Sequence, residues 1–86
     1  MNMIIVTLTF TAGGEAISYD MEMPCQVPAR TLIAHICQTV NLYCEGALEL
    51  QPQGLQLRCR RLERVLAPTE TLEDVGVWNG DHLDLT

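Results

Sequence analysis

TLEDVGVWNGDHLDLT, residues 71–86, holds in order a helical turn, a reversal and a strand. Thr71 followed three residues later by Asp74 is a variant of the capping box, in which a hydroxyl and a carboxylate satisfy the free N–H groups of a helical turn. Gly76 ends that turn by entering the left-handed region. Asn79-Gly80-Asp81 then reverses the chain. Leu83 and Leu85 fall on one parity and His82 and Asp84 on the other, so the last strand has one buried face.

Upstream, LQLRCRR (55–61) alternates in the same way, with Leu55, Leu57 and Cys59 on one face and Gln56, Arg58 and Arg60 on the other. A short strand near Arg64–Leu66 is predicted to follow. The stretch 42–54 has Gly46, Pro52 and Gly54 as breakers and no sustained period, which predicts a loop with one helical turn. Before it, Leu32, Ile33, Ile36, Cys37 and Val40 recur at spacings of three and four, a helical stripe running from Ala29 to about Asn41. Pro28 suits its first position, where a missing N–H costs nothing. His35 has no histidine or carboxylate at helical spacing and reads as a solvated residue.

At the start of the chain, Ile4, Val6, Leu8 and Phe10 alternate with Ile5, Thr7 and Thr9. Gly13-Gly14 supply a tight turn. Ile17, Tyr19, Met21 and Met23 then alternate with Ser18, Asp20 and Glu22, completing a hairpin. The order is two strands, a helix, two strands, a capped turn and a last strand, an α+β chain.

The chain has 86 residues, expected to form a single domain over 1–86 with room for one core and one site at most. Eleven acids face five bases, all arginine, for a net charge of −6. Such a surface is repelled by phosphate backbones and anionic lipid, so no nucleic acid is expected as a partner. A protein partner is the better fit. Cys25, Cys37, Cys44 and Cys59 have no CxxC spacing, and only His35 and His82 stand with them, so no metal site, cofactor or redox motif can be written. Each cysteine reads as a small core residue. With no signal peptide and no apolar run near the ~20 residues a membrane helix needs, the expectation is a cytoplasmic protein with reduced thiols and no direct membrane insertion.

MIIVTLTF with ISYDMEM, and TLEDVGVWNGDHLDL at the other end, resemble the opening hairpin and the capped turn with closing strand of ubiquitin. The implied fold is a β-grasp, a mixed sheet of four to five strands with one main helix packed on one face. YDMEMPCQVPARTLIAHICQTVNL and LEDVGVWNGDHLDL further resemble the YukD-like family, ubiquitin-like proteins of type VII (WXG100/ESX-like) secretion loci in Gram-positive bacteria. The resemblance covers nearly the whole chain and is poorest at 42–54. Ubiquitin and the sulfur carriers carry a Gly-Gly tail beyond the last strand. No glycine follows Gly80 here, and Thr86 is β-branched, so tagging and sulfur transfer are not expected.

The resemblance implies a non-conjugating adaptor, not an enzyme, that binds protein subunits of a secretion machine, the membrane-bound ATPase or its associated subunits. The alternatives are a modifier or sulfur-carrier relative, the soluble N-terminal domain of a larger secretion membrane protein, and a thiol enzyme using Cys25 or Cys59, the proline-flanked link being able to expose Cys25. The open sheet face is predicted to hold Ile5, Thr7, Ser18, Asp20, Glu22, Arg58, Arg60, His82 and Asp84. Arg58 or Arg60 there can simply pair with Asp84. The run RCRRLER offers an acidic partner bidentate contacts, unless acids nearby such as Glu63 neutralise it. Trp78, between an inward Val77 and the Asn79-Gly80 turn, is predicted to be partly exposed. Trp78, Arg58, Arg60 and Arg61 are the candidate protein-binding residues, and exposed sheet edges allow two copies to pair.

Overall fold

The computed structural model describes residues 2–43 and 50–86. In chain order the elements are β1 (Met3–Ala12), β2 (Glu15–Pro24), α1 (Ala29–Tyr43), β3 (Leu57–Cys59), β4 (Arg64–Val65), α2 (Leu72–Val75) and β5 (His82–Leu85). The strands form one mixed sheet in the order β2-β1-β5-β3-β4. Alternating residues and the Gly13-Gly14 turn, both glycines at positive φ, put β1 and β2 in unbroken antiparallel register from Met3↔Pro24 to Ala12↔Glu15. The last strand lies centrally. It runs parallel to β1 from Thr7↔His82 to Phe10↔Leu85 and antiparallel to β3.

One face of this sheet meets the helix, as the parity of its residues requires. Val6, Leu8 and Phe10, Leu57 and Cys59, and Leu83 and Leu85 are all buried, against Leu32, Ile33, Ile36, Cys37 and Val40 of α1. The predicted inward sets therefore hold on β1, β3 and β5, while on β2 Met23 is buried, Ile17 and Met21 are half-buried and Tyr19 is exposed.

The helix departs from expectation at both ends. Pro28 is its N-cap and not its first residue: its carbonyl accepts the Leu32 N–H at 3.0 Å. The next two N–H groups find backbone partners in a distant loop, Ala29 to the Glu70 carbonyl at 2.8 Å and Arg30 to that of Pro68 at 3.0 Å. Tertiary contact thus replaces a capping side chain. At the far end the helix continues through Tyr43, and the Asn41 amide exchanges hydrogen bonds with the Leu50 backbone at 2.8 and 3.1 Å. Of the stretch 42–54, where a loop with one helical turn is expected, residues 42–43 still belong to α1, 50–54 form no helix, and 44–49 lie outside the described residues.

β3 is shorter than its alternation. Gln56 and Thr86 exchange two backbone bonds of 2.9 Å that extend the ladder by one pair, but beyond Cys59 the chain turns, with Glu63 at φ 49° and its N–H bonded to the Arg60 carbonyl. Arg60 and Arg61 therefore sit on a turn and not on a strand. α2 forms as read: Thr71 accepts from the Asp74 N–H at 3.0 Å, Asp74 accepts from the Thr71 N–H at 3.1 Å, and Gly76 closes the turn at φ 87°. Cys25, Cys37 and Cys59 are free and buried, and Cys44 lies outside the described residues. The link that was to expose Cys25 instead turns it inward, leaving it 9% exposed, with its carbonyl accepting the Glu73 N–H. Burial also pushes the Cys37 thiol up in pKa.

Candidate functional site

Two of the candidate residues, Trp78 and Arg61, meet where the β3–β4 turn, the end of α2 and the 78–81 reversal converge. At the centre is Asp81, whose carboxylate is buried and fully engaged. Arg61 donates to it from Nε at 2.9 and 3.2 Å and from Nη2 at 3.0 Å, and the Trp78 N–H donates at 2.8 Å. The Arg61 Nη2 also donates to the Gly76 carbonyl at 2.7 Å. Those bonds fix the guanidinium plane, and its Cζ lies 3.7 Å from the Trp78 ring centroid, a cation–π stack. Trp78 nevertheless stays 64% exposed.

The reversal itself is anchored to β1. The Ile5 N–H donates to the Asn79 side-chain oxygen, Gly80 donates to the Ile5 carbonyl, and Thr7 donates to the Asp81 carbonyl, all within 2.9 Å. Gly80 takes φ 90°, which an L side chain would strain. This stitching sets Ile5 beside the turn, and Ile5 and Met3 are about half exposed on the open face. Ile5 is thus set beside the reversal that carries the indole and the fixed guanidinium, with Met3 two residues along on the same face of β1.

The other candidate arginines have different settings. Arg60 is engaged with Asp84 through two bonds of 2.8 Å, the pairing foreseen as an alternative. Arg58 stands opposite Asp84 in backbone register, is half-buried, and has no ion-pair partner among the described residues. Arg64 pairs with Glu70. Neutralisation of the arginine run therefore comes from Asp81, Asp84 and Glu70, while Glu63, in the turn, takes no part. Asp81 was missing from the predicted site because its partner lies twenty residues away in sequence, beyond any local period.

Electrostatics follow from these contacts. Hydrogen bonds from Arg61 hold Asp81 below the usual carboxylate range, helped by the Trp78 N–H and opposed by burial. Arg60 does the same for Asp84. Glu70 is lowered first by the Ala67 N–H and then by Arg64. The rest of the open face is a polar ladder, with Thr7 donating to Asp20 at 2.9 Å and Thr9 bonded to Ser18 at 2.7 Å and to His82 Nε2 at 2.6 Å. Among the described residues no group of three or more His, Cys, Asp or Glu is placed to hold a metal ion, and no helix is long and apolar enough to cross a membrane.

Among solved structures the chain is similar to the EccD5 ubiquitin-like domain from Mycobacterium xenopi, at a TM-score of 0.75 and 19% identity over 100% of this chain and 94% of that one. It is also similar to a Caldiarchaeum subterraneum ubiquitin, at 0.72 and 23% identity over 98% and 91%. A third likeness is to the ubiquitin-like domain of the Mycobacterium tuberculosis type VII secretion system protein ECCD1, at 0.62 and 23% identity over 95% and 97%. No curated protein matches the sequence. The fold is the ubiquitin-like β-grasp. With the model of the family described as "WXG100 protein secretion system (Wss), protein YukD" matching residues 4–85, the chain belongs to the YukD family.

Proposed function

We propose that this chain is a ubiquitin-like adaptor of a type VII secretion system that works in the cytoplasm by non-covalent recognition of the machine's protein subunits. Family membership supports the secretion setting, and the observation that carries the binding mode is the state of Trp78. Its ring is mostly in solvent, yet the Arg61 guanidinium stacked on it is itself tied to Asp81 and the Gly76 carbonyl. An exposed aromatic that is already oriented loses little conformational freedom on docking, which is the property of an interface anchor. Met3 and Ile5 extend the apolar contact, and Arg58 and Arg60 flank it with charge. The partner would be a subunit of the membrane-bound ATPase or an associated component.

The test is co-purification of those subunits with the tagged chain and with its Trp78→Ala variant. Loss of capture by about tenfold or more is expected, with an unchanged circular dichroism spectrum. Equal capture by the variant would remove Trp78 from the interface. A covalent adduct in the intact mass of the chain recovered from cells would overturn non-covalent action. Recognition without catalysis also requires slow cysteines, and buried Cys25, Cys37 and Cys59 support this. A single fast-alkylating thiol under native conditions would reopen the thiol-enzyme alternative. Likeness to domains of EccD proteins favours a second reading, a head domain of a larger secretion membrane protein. The mass of the native protein in cell extracts separates the two.

A further inference from the structure

The edge of the sheet opposite the arginines has a different composition and a different opportunity. Among the described residues β2 has one neighbour, β1, so its outer edge presents unpaired backbone N–H and C=O groups along ten residues. Three devices that blunt such an edge are absent from the strand: the register with β1 has no bulge, no lysine or arginine lies on it, and its proline is at the very end. Alongside the edge, between β2 and α1, lies a hollow of about 550 Å³ lined by Tyr19, Asp20, Met21, Glu22, Thr39 and Val40. A second hollow of about 350 Å³ continues it past Met21 and Thr39 toward Leu32 and Ile36. Tyr19 is 44% exposed there although it has core parity.

Charge selects the occupant. The charged residues of β2 are Glu15, Asp20 and Glu22, all acidic, and no arginine among the described residues forms an ion pair with any of them. A second copy adding its own β2 antiparallel, centred on Met21 where the groove lies, would set Asp20 against Glu22, which disfavours that pairing. We infer that the β2 edge and the adjoining β2–α1 groove bind an extended segment of a partner protein by strand addition. Alternate apolar side chains of that segment enter the groove over Tyr19 and Met21, and lysines or arginines between them face Asp20 and Glu22. The period of two makes both requirements compatible in one strand, since successive side chains point to opposite faces.

The probe is an acetylated, amidated heptapeptide alternating lysine with valine and isoleucine, titrated into the ¹⁵N-labelled chain. Saturable shifts and about tenfold slower amide exchange are expected at residues 17–23, because new backbone hydrogen bonds form there. Replacing Asp20→Lys together with Glu22→Lys, both exposed positions, should weaken binding by about tenfold or more through like-charge juxtaposition. The Trp78→Ala variant should bind the peptide unchanged, which separates this surface from the one at the other end. Equal binding of a block-ordered peptide of the same composition would reduce the effect to nonspecific attraction and overturn the inference. So would shifts centred on Arg61 and Trp78, the absence of saturable shifts, or protection of β2 that rises with protein concentration alone and marks a second copy as the occupant.

Discussion

The two ends of the sheet are held by different means. At one end β1 and β2 pair over ten residues each, and an apolar face with a glycine turn is sufficient to set their register. At the other, β3 has three residues and β4 two, too few for the ladder to hold them alone. There the connecting turn is tied down by arginine–carboxylate pairs: Arg61 to Asp81, Arg60 to Asp84 and Arg64 to Glu70. Long regular pairing leaves the acids of β2 without basic partners, while short pairing uses up most of the arginines. The difference explains why the arginine run is largely neutralised while the acids of β2 are left without basic partners. It also separates the two candidate surfaces: a rigid, ion-paired platform around Trp78, and a hydrogen-bond-ready edge on β2.

Breaking the strand that joins the two ends should have the largest effect. Leu83→Ala, at a fully buried position of β5, is expected to cost about 2–5 kcal/mol in urea denaturation and to lower amide protection at both ends together. Loss confined to one end would show that the ends fold separately. Asp81→Ala should come next, at about 1–3 kcal/mol, since it strips a buried acceptor from Arg61 and from the Trp78 N–H. Here hydrogen exchange should rise in 60–81 while β1 and β2 stay protected, and equal loss across the hairpin would erase the distinction drawn above.

The acid limb sharpens the same point. Because Asp81, Asp84 and Glu70 are depressed in the folded state, the stability they contribute is present above their unfolded values, near pH 4, and is lost as pH falls through the folded ones. Asp81→Asn should therefore flatten the decline of the urea midpoint below about pH 4, and an unaltered decline would mean that the clasp contributes nothing there. Thr71→Ala removes one side of the capping box and is expected to cost about 0.5–2 kcal/mol, with fraying of α2 visible in amide exchange. Arg60→Met should change the urea midpoint least of all, since its pair with Asp84 is solvent-screened. A clear drop in that midpoint would show that surface pairing matters more at this end than its exposure implies.

Much of this was legible in the residues because the information was local. Leu83 and Leu85 against His82 and Asp84, the stripe from Leu32 to Val40, Thr71 with Asp74, and the Gly76 and Gly80 turns each declare their conformation within a few positions of themselves. Period two or three-and-a-half, a cap and a positive φ are properties of neighbouring residues, so element types and inward faces could be read in advance. The run RCRRLER could not, since its alternation persists past the point where the strand ends. What stops it is a turn held from outside by Asp81 and Asp84.

By itself, then, the sequence determined the elements, their buried faces and the likeness to the YukD family. Only the tertiary structure decided which acid each arginine meets, that Pro28 caps a helix whose next N–H groups bond to the 68–70 loop, and that Asp81 is the hub beneath an exposed Trp78. The reason is physical. A hydrogen bond or ion pair between residues twenty or more apart depends on how packed elements place their ends, and apolar periodicity orients faces without saying which loops those faces bring together.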